Sequence, residues 1–134
     1  MRVLVCGGRD YGNRDFVFYT LNRIKPTLVI QGGATGADYL AKLWCEVNNI
    51  TCQEFKADWK TFGKAAGPIR NAKMLSEGKP DLVVAFPGGR GTADMIKQAS
   101  KANTQVLILK EPTVPYIIIN LYTINKNNGT IKGL

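Results

Sequence analysis

Three glycine-rich turns, each led in by a short apolar run and followed by a stretch with helical spacing, set the limits on what this chain can fold into. Val3-Leu4-Val5-Cys6 runs into Gly7-Gly8-Arg9-Asp10. Leu28-Val29-Ile30-Gln31 runs into Gly32-Gly33-Ala34-Thr35-Gly36-Ala37-Asp38. Leu82-Val83-Val84-Ala85 runs into Phe86-Pro87-Gly88-Gly89-Arg90-Gly91-Thr92. Apolar runs alternating with helical stretches predict a parallel sheet with crossover helices. All strands of such a sheet point one way, so the three turns fall along one edge. Open α/β sheets bind their ligands at that edge, outside the strand carboxyl ends.

The third turn is the most informative. Its glycines leave backbone N–H groups uncovered, and the helix opening after them carries partial positive charge at its first turn. Together these form a site for a phosphate or another anion. Arg90 adds a full charge and a planar fork of donors. Gly and Pro also mark ordinary strand-to-helix turns, so repetition, not any single turn, carries the inference.

Further residues fit the same chemistry. Pro68 suits the first position of a helix running to about Ser76, which puts Arg70 in its first turn with Lys73 on the same face. A cation there opposes the helix dipole and repels its neighbour. A bound anion offsets both effects; a solvated surface charge is the plainer alternative. Arg9 and Arg90, each inside a glycine turn, favour the anion. Asp10, Asp38 and Asp94 follow the three turns as helix caps or as acceptors for ribose hydroxyls, and Asp10 or Asp94 is also a candidate catalytic carboxylate. Tyr11, Trp59 and Phe62 offer faces for a base, against packing as the ordinary use.

Along the chain, strands are predicted at Arg2–Cys6, Thr27–Gln31, Ile50–Phe55, Leu82–Phe86 and Gln105–Leu109. Helices are predicted over Asp15–Ile24, Gly36–Val47, Pro68–Ser76 and from the third turn to about Ala102. Lys56 to Gly67 reads as a long polar, aromatic and basic loop. After Glu111, the apolar β-branched stretch Ile117–Ile124, the hairpin dipeptide Asn128-Gly129 and Thr130–Leu134 predict a hairpin or added edge strand. That tail serves either to cover its own core or to make a dimer contact.

At 134 residues the chain suits one globular unit with a real core. No run reaches the length of a membrane span, and the chain enters its first strand at once, so no membrane partner and a cytoplasmic location are expected. Three cysteines without C-x-x-C spacing argue against a disulfide framework; Cys6 and Cys45 suit buried apolar positions. The absence of histidine removes the commonest metal ligand and neutral-pH base. No metal and no cofactor are expected. A net charge of +8 favours anionic partners, and is compatible with a nucleotide, with nucleic acid or with solubility alone.

Taken in order, four motifs resemble the SLOG superfamily, the Rossmann-like group that includes the Lonely-guy phosphoribohydrolases and DprA proteins, and within it the YspA-like, YpsA-related branch. They are Gly7-Gly8-Arg9-Asp10-Tyr11, Gly32 through Asp38, Ala57-Asp58-Trp59 with Ala65-Ala66-Gly67-Pro68-Ile69-Arg70-Asn71, and Phe86 through Met95. The resemblance covers residues 1–110 and leaves 111–134 as an extension of the same unit. It implies an α/β, Rossmann-like three-layer sandwich with a mainly parallel sheet, plus a C-terminal β extension.

The resemblance also implies a nucleotide-like ligand. The residues carried over to bind it are Gly7, Gly8, Arg9, Asp10, Tyr11, Gly32, Gly33, Thr35, Asp38, Arg70, Asn71, Pro87, Gly88, Gly89, Arg90, Gly91 and Thr92. Arg70 and Asp94 are the candidate catalytic pair. The hydrolase signature places a glutamate at position 95, where this chain has Met95, and one helical step turns Asp94 about 100° from that direction. Pocket chemistry therefore carries over better than hydrolysis. The leading expectation is a binder of ADP-ribose, a nucleoside phosphate or a cyclic nucleotide signal, as a sensor or a phage-type sequestering sponge. The alternatives are an N-glycosidic phosphoribohydrolase and, after it, a nucleic-acid module. SLOG relatives commonly pair, so a homodimer or higher homo-oligomer is expected.

Overall fold

A computed structural model describes residues 1–113, 122–124 and 131–133. The elements in chain order are β1 (Arg2–Cys6), α1 (Arg14–Ile24), β2 (Leu28–Gln31), α2 (Ala37–Asn48), β3 (Thr51–Glu54), α3 (Trp59–Phe62), a 3-10 turn (Gly63–Ala65), α4 (Ala66–Gly78), β4 (Leu82–Ala85), α5 (Arg90–Lys101), β5 (Gln105–Ile108), β6 (Tyr122–Ile124) and β7 (Ile131–Gly133). The sheet order is β3-β2-β1-β4-β5-β6-β7. The first five strands are parallel; β6 joins β5 antiparallel, and β7 joins β6 antiparallel. This is a Rossmann-like α/β fold with a β extension. Strand order reverses at β1, so the turns after β1 and β4 flank the crevice where such sheets bind ligands.

Central strands read as unbroken apolar runs because both faces are covered. Val3 and Val5 of β1 face the layer of α1 and α2, where Phe16, Leu21, Leu40 and Trp44 are buried. Leu4 and Cys6 face the layer of α4 and α5, with Met74, Met95 and Ala99. Helix ends follow local rules. Asn13 caps α1 by accepting from the Phe16 amide at 3.0 Å. Lys25, Asn49 and Lys79 close α1, α2 and α4 in the left-handed conformation, and Pro26 and Pro80 follow two of them.

The predicted loop from Lys56 to Gly67 is a correction. Residues 59–65 form α3 and the 3-10 turn, and α4 opens at Ala66, so Pro68 is its third residue instead of its first. A helix leaves its first four amides without internal partners, so proline is tolerated there. Arg70 accordingly sits beyond the first residues of α4, and the predicted opposition to the helix dipole is weaker than supposed. Lys73 pairs with Glu77 at 4.0 Å. Of the predicted C-terminal hairpin, Tyr122–Ile124 and Ile131–Gly133 are strands as expected; the Asn128-Gly129 turn and the stretch 117–121 lie outside the described residues.

Candidate functional site

The three glycine turns meet at the carboxyl edge of the sheet. The Gly8 amide donates to the Pro87 carbonyl at 2.8 Å, and the Gly8 carbonyl accepts from the Ala37 amide at 3.2 Å. Thr35 Oγ1 donates to the Arg9 carbonyl at 3.0 Å. Gly36 has φ of +72°, and a side chain there would collide with the carbonyls of Gly8 and Arg9. The first turn therefore fills the space in front of α2.

This contact sorts the helix ends. The end of α1 is satisfied by Asn13, and that of α2 is covered by the first turn. At α5 the N-cap is Gly89, no side chain caps the helix, and the first internal bond is from the Ala93 amide to the Gly89 carbonyl at 3.0 Å. Gly91 and Thr92 belong to α5 itself. Three turns thus build one open helix end, not three.

That end borders a cleft of about 930 Å³. Its lining includes Gly7, Gly8, Arg9, Asp10, Tyr11, Asp38, Arg70, Asn71, the run Pro87 to Thr92, and Asp94. Gly32, Gly33 and Thr35 are not in the lining but stand behind it. The Gly32 carbonyl accepts from Arg70 Nη1 at 2.6 Å, and the Gly33 amide donates to Gln31 Oε1 at 2.6 Å. Cys6, Ala34, Trp59, Lys64, Gly67, Pro68 and Met74 complete the wall. Lys64 is not among the residues predicted for the site, since nothing in the sequence separates it from Lys56 and Lys60 in the same basic stretch.

Arg70 is half-buried. Burial lowers its pKa, Asp38 opposes that, and the charge of Arg9 lowers it further. Arg9 also lies over the Trp59 ring, 4.9 Å from its centre. Asp38 is only 6% exposed. Burial pushes its carboxyl from the ordinary 3.8 to about 6, against the opposing pull of the Ala34 amide and the Arg70 guanidinium. Burial pushes the Cys6 thiol up, and Asp38 adds to the effect.

The direction of Asp94 follows from the face that α5 lays on the sheet. The sheet-facing side of α5 carries Thr92, Met95 and Ala99, and Met95 is fully buried in the core. The 100° step that turns Asp94 off the core turns it toward the cleft. Its Oδ2 accepts from Asn71 Nδ2 at 2.9 Å and from Gln98 Nε2 at 2.8 Å. Tyr11 stacks on Phe86 with ring centres 5.6 Å apart. Phe62 is 48% exposed and outside the cleft lining.

Among the described residues, no helix is long and apolar enough to cross a membrane. A model of the YspA, cpYpsA-related SLOG family matches residues 1–62, a span that holds the first two glycine turns. The chain is 36% identical over 118 residues to the Gene 61 protein of Mycobacterium phage D29, covering 79% of this chain and 94% of that relative. Among solved structures it is similar to phosphoribosylglycinamide formyltransferase from Bacillus halodurans, at 14% identity and a TM-score of 0.46, over 100% of this chain and 79% of that one. With its paired glycine turns inside the matched span and a relative aligned over most of its length, the chain belongs to the YspA, cpYpsA-related SLOG family.

Proposed function

We propose that the protein binds a nucleotide-derived ligand carrying ribose and phosphate, as a sensor or a sequestering protein. One observation carries this: the uncapped end of α5 opens into a cleft of about 930 Å³ whose wall also includes Arg9, Arg70 and Arg90. The charge of Arg9 disfavours that of Arg70. An anion between them relieves that repulsion and accepts the helix amides. Asp10, Asp38 and Thr92 supply groups for ribose hydroxyls, and Trp59, stacked with Arg9, offers a face to a base.

A second reading, hydrolysis of an N-glycosidic bond, is favoured by Asp94 lining the same cleft as Arg70. Binding is preferred because Met95, at the hydrolase glutamate position, is buried away from the cleft.

Trp59 is exposed at the cleft and Trp44 is buried, so fluorescence titration of a Trp44→Phe background reports on the site. Titration with AMP, ADP-ribose and cyclic dinucleotides should change Trp59 emission with at least one of them, and Arg70→Ala should abolish the change. No response to any of the three removes the proposal. Chromatography of the bound ligand separates the two readings: intact ligand supports a binder, and free base lost in Asp94→Asn supports the hydrolase.

A further inference from the structure

Asn71 is 3% exposed, and its side-chain amide is engaged on every side. Its Oδ1 accepts from Arg70 Nε at 3.1 Å. Its Nδ2 donates to Asp94 Oδ2 at 2.9 Å and to the Gly91 carbonyl at 3.2 Å. Both Nδ2 protons are thereby used, which leaves the amide no donor for a ligand. One buried group thus ties the cleft's inner cation, its carboxylate and the first turn of the anion-binding helix into one unit. Arg70 is held from its other side by the Gly32 carbonyl, and Asp94 by Gln98, which also donates to the Pro68 carbonyl at 3.0 Å. Both donors to Asp94 use Oδ2; among the described residues Oδ1 takes no protein donor, so it is available to a hydroxyl in the cleft.

We propose that Asn71 is a positioning residue: it fixes Arg70 relative to Asp94 so that the cleft reads a phosphate and a sugar hydroxyl of one ligand at a set separation. This rests on the cleft being the ligand site. Asn71 makes no ligand contact in this scheme. Asp94 Oδ1 accepts the hydroxyl, and Arg70 with the α5 amides holds the phosphate. A fully satisfied buried amide suits this task, because any shift of its partners leaves a buried polar atom unpaired.

The test is calorimetric titration with two probes, ribose 5-phosphate and inorganic phosphate, on the wild-type protein, Asn71→Ala, Asn71→Ser, Asp94→Ala and the Asn71→Ala/Asp94→Ala double variant. The wild type should prefer ribose 5-phosphate. Asn71→Ala should reduce that preference by about tenfold, the scale of one well-oriented hydrogen bond to a charged group. Its effect on ribose 5-phosphate should largely vanish once Asp94 is gone. A general packing role lowers both affinities alike and leaves the preference unchanged, which overturns the inference. Should Asn71→Ala fail to fold, Asn71→Ser decides in its place: its shorter side chain cannot bridge Arg70 and Asp94, and an unchanged preference there also overturns the inference. A wild type that binds neither probe removes the cleft as the ligand site, and this inference with it.

Discussion

Arg70 and Gly32 stand 38 residues apart in the chain and meet where the guanidinium Nη1 donates to the carbonyl oxygen at 2.6 Å. The contact exists because residue 32 has no side chain. A Cβ there would lie 2.8 Å from Arg70 Cζ and 3.0 Å from Asp38 Oδ2. Gly32→Ala should expel the guanidinium, destabilise the fold by about 1–3 kcal/mol, and lose anion binding to the same extent as Arg70→Ala. Denaturant unfolding and phosphate titration check both parts; wild-type affinity in Gly32→Ala would falsify the placement of Arg70.

Asp38 gives the protein a pH dependence of definite sign. Its folded pKa, about 6, is raised above the ordinary 3.8. Below about pH 4 the carboxyl is protonated in the folded and unfolded chain alike, and its full contribution is present. As pH rises through about 6, folding must accommodate a buried charge and that contribution is lost, by up to about 3 kcal/mol. Asp38→Asn should flatten this part of the profile and exceed the wild type in stability at pH 8. Unfolding midpoints from pH 4 to 8 measure it, and parallel profiles for the two proteins would refute it.

Two neighbouring glycines should respond differently. At Gly88 a Cβ would crowd Thr92 Oγ1 and stand 2.7 Å from the Gly8 amide nitrogen, whereas at Gly89 it meets nothing within 4 Å. Gly88→Ala should destabilise by about 1–3 kcal/mol, since backbone cannot step aside. Gly89→Ala should cost about 1 kcal/mol or less, yet weaken phosphate binding by placing a methyl group at the open end of α5. Thermal melts and titration of the pair separate these effects.

Restoring the hydrolase glutamate should not create a hydrolase. Met95 is fully buried with Leu4 and Met74, so Met95→Glu puts a carboxyl into apolar surroundings at a cost of several kcal/mol. The expected outcome is loss of cooperative unfolding, or a marked fall in the midpoint, with no base released from AMP. A stable Met95→Glu protein that releases adenine would show that α5 can present this position to the cleft.

The parallel sheet was legible because Val3–Cys6, Leu28–Gln31 and Leu82–Ala85 are apolar on both faces, a pattern few other arrangements bury. The short helix Trp59–Phe62 was not legible within the polar stretch from Lys56 to Gly67, since four residues are too few to show helical spacing. Pro68, which suits a first helical position, drew the start of α4 two residues too late. Gly67 is in fact buried where a Cβ would stand 3.3 Å from the Trp59 ring, and Pro68 occupies a position whose amide needs no helical partner. The direction of Asp94 was not legible, since it depends on which side of α5 lies on the sheet. Nor was the division of labour among the glycine turns, which rests on hydrogen bonds such as Gly8 to Pro87 and Thr35 to Arg9 between segments remote in sequence.

With the carbonyl of Gly8 occupied by the Ala37 amide and its own amide by Pro87, the first turn is pinned from both sides before any ligand arrives. Separating these segments would bare paired backbone groups, so the walls of the recess are held by bonds within the protein itself. On the proposed function, a ligand entering it would give up little affinity to ordering its host, and selectivity among related molecules would fall to the side chains around the rim.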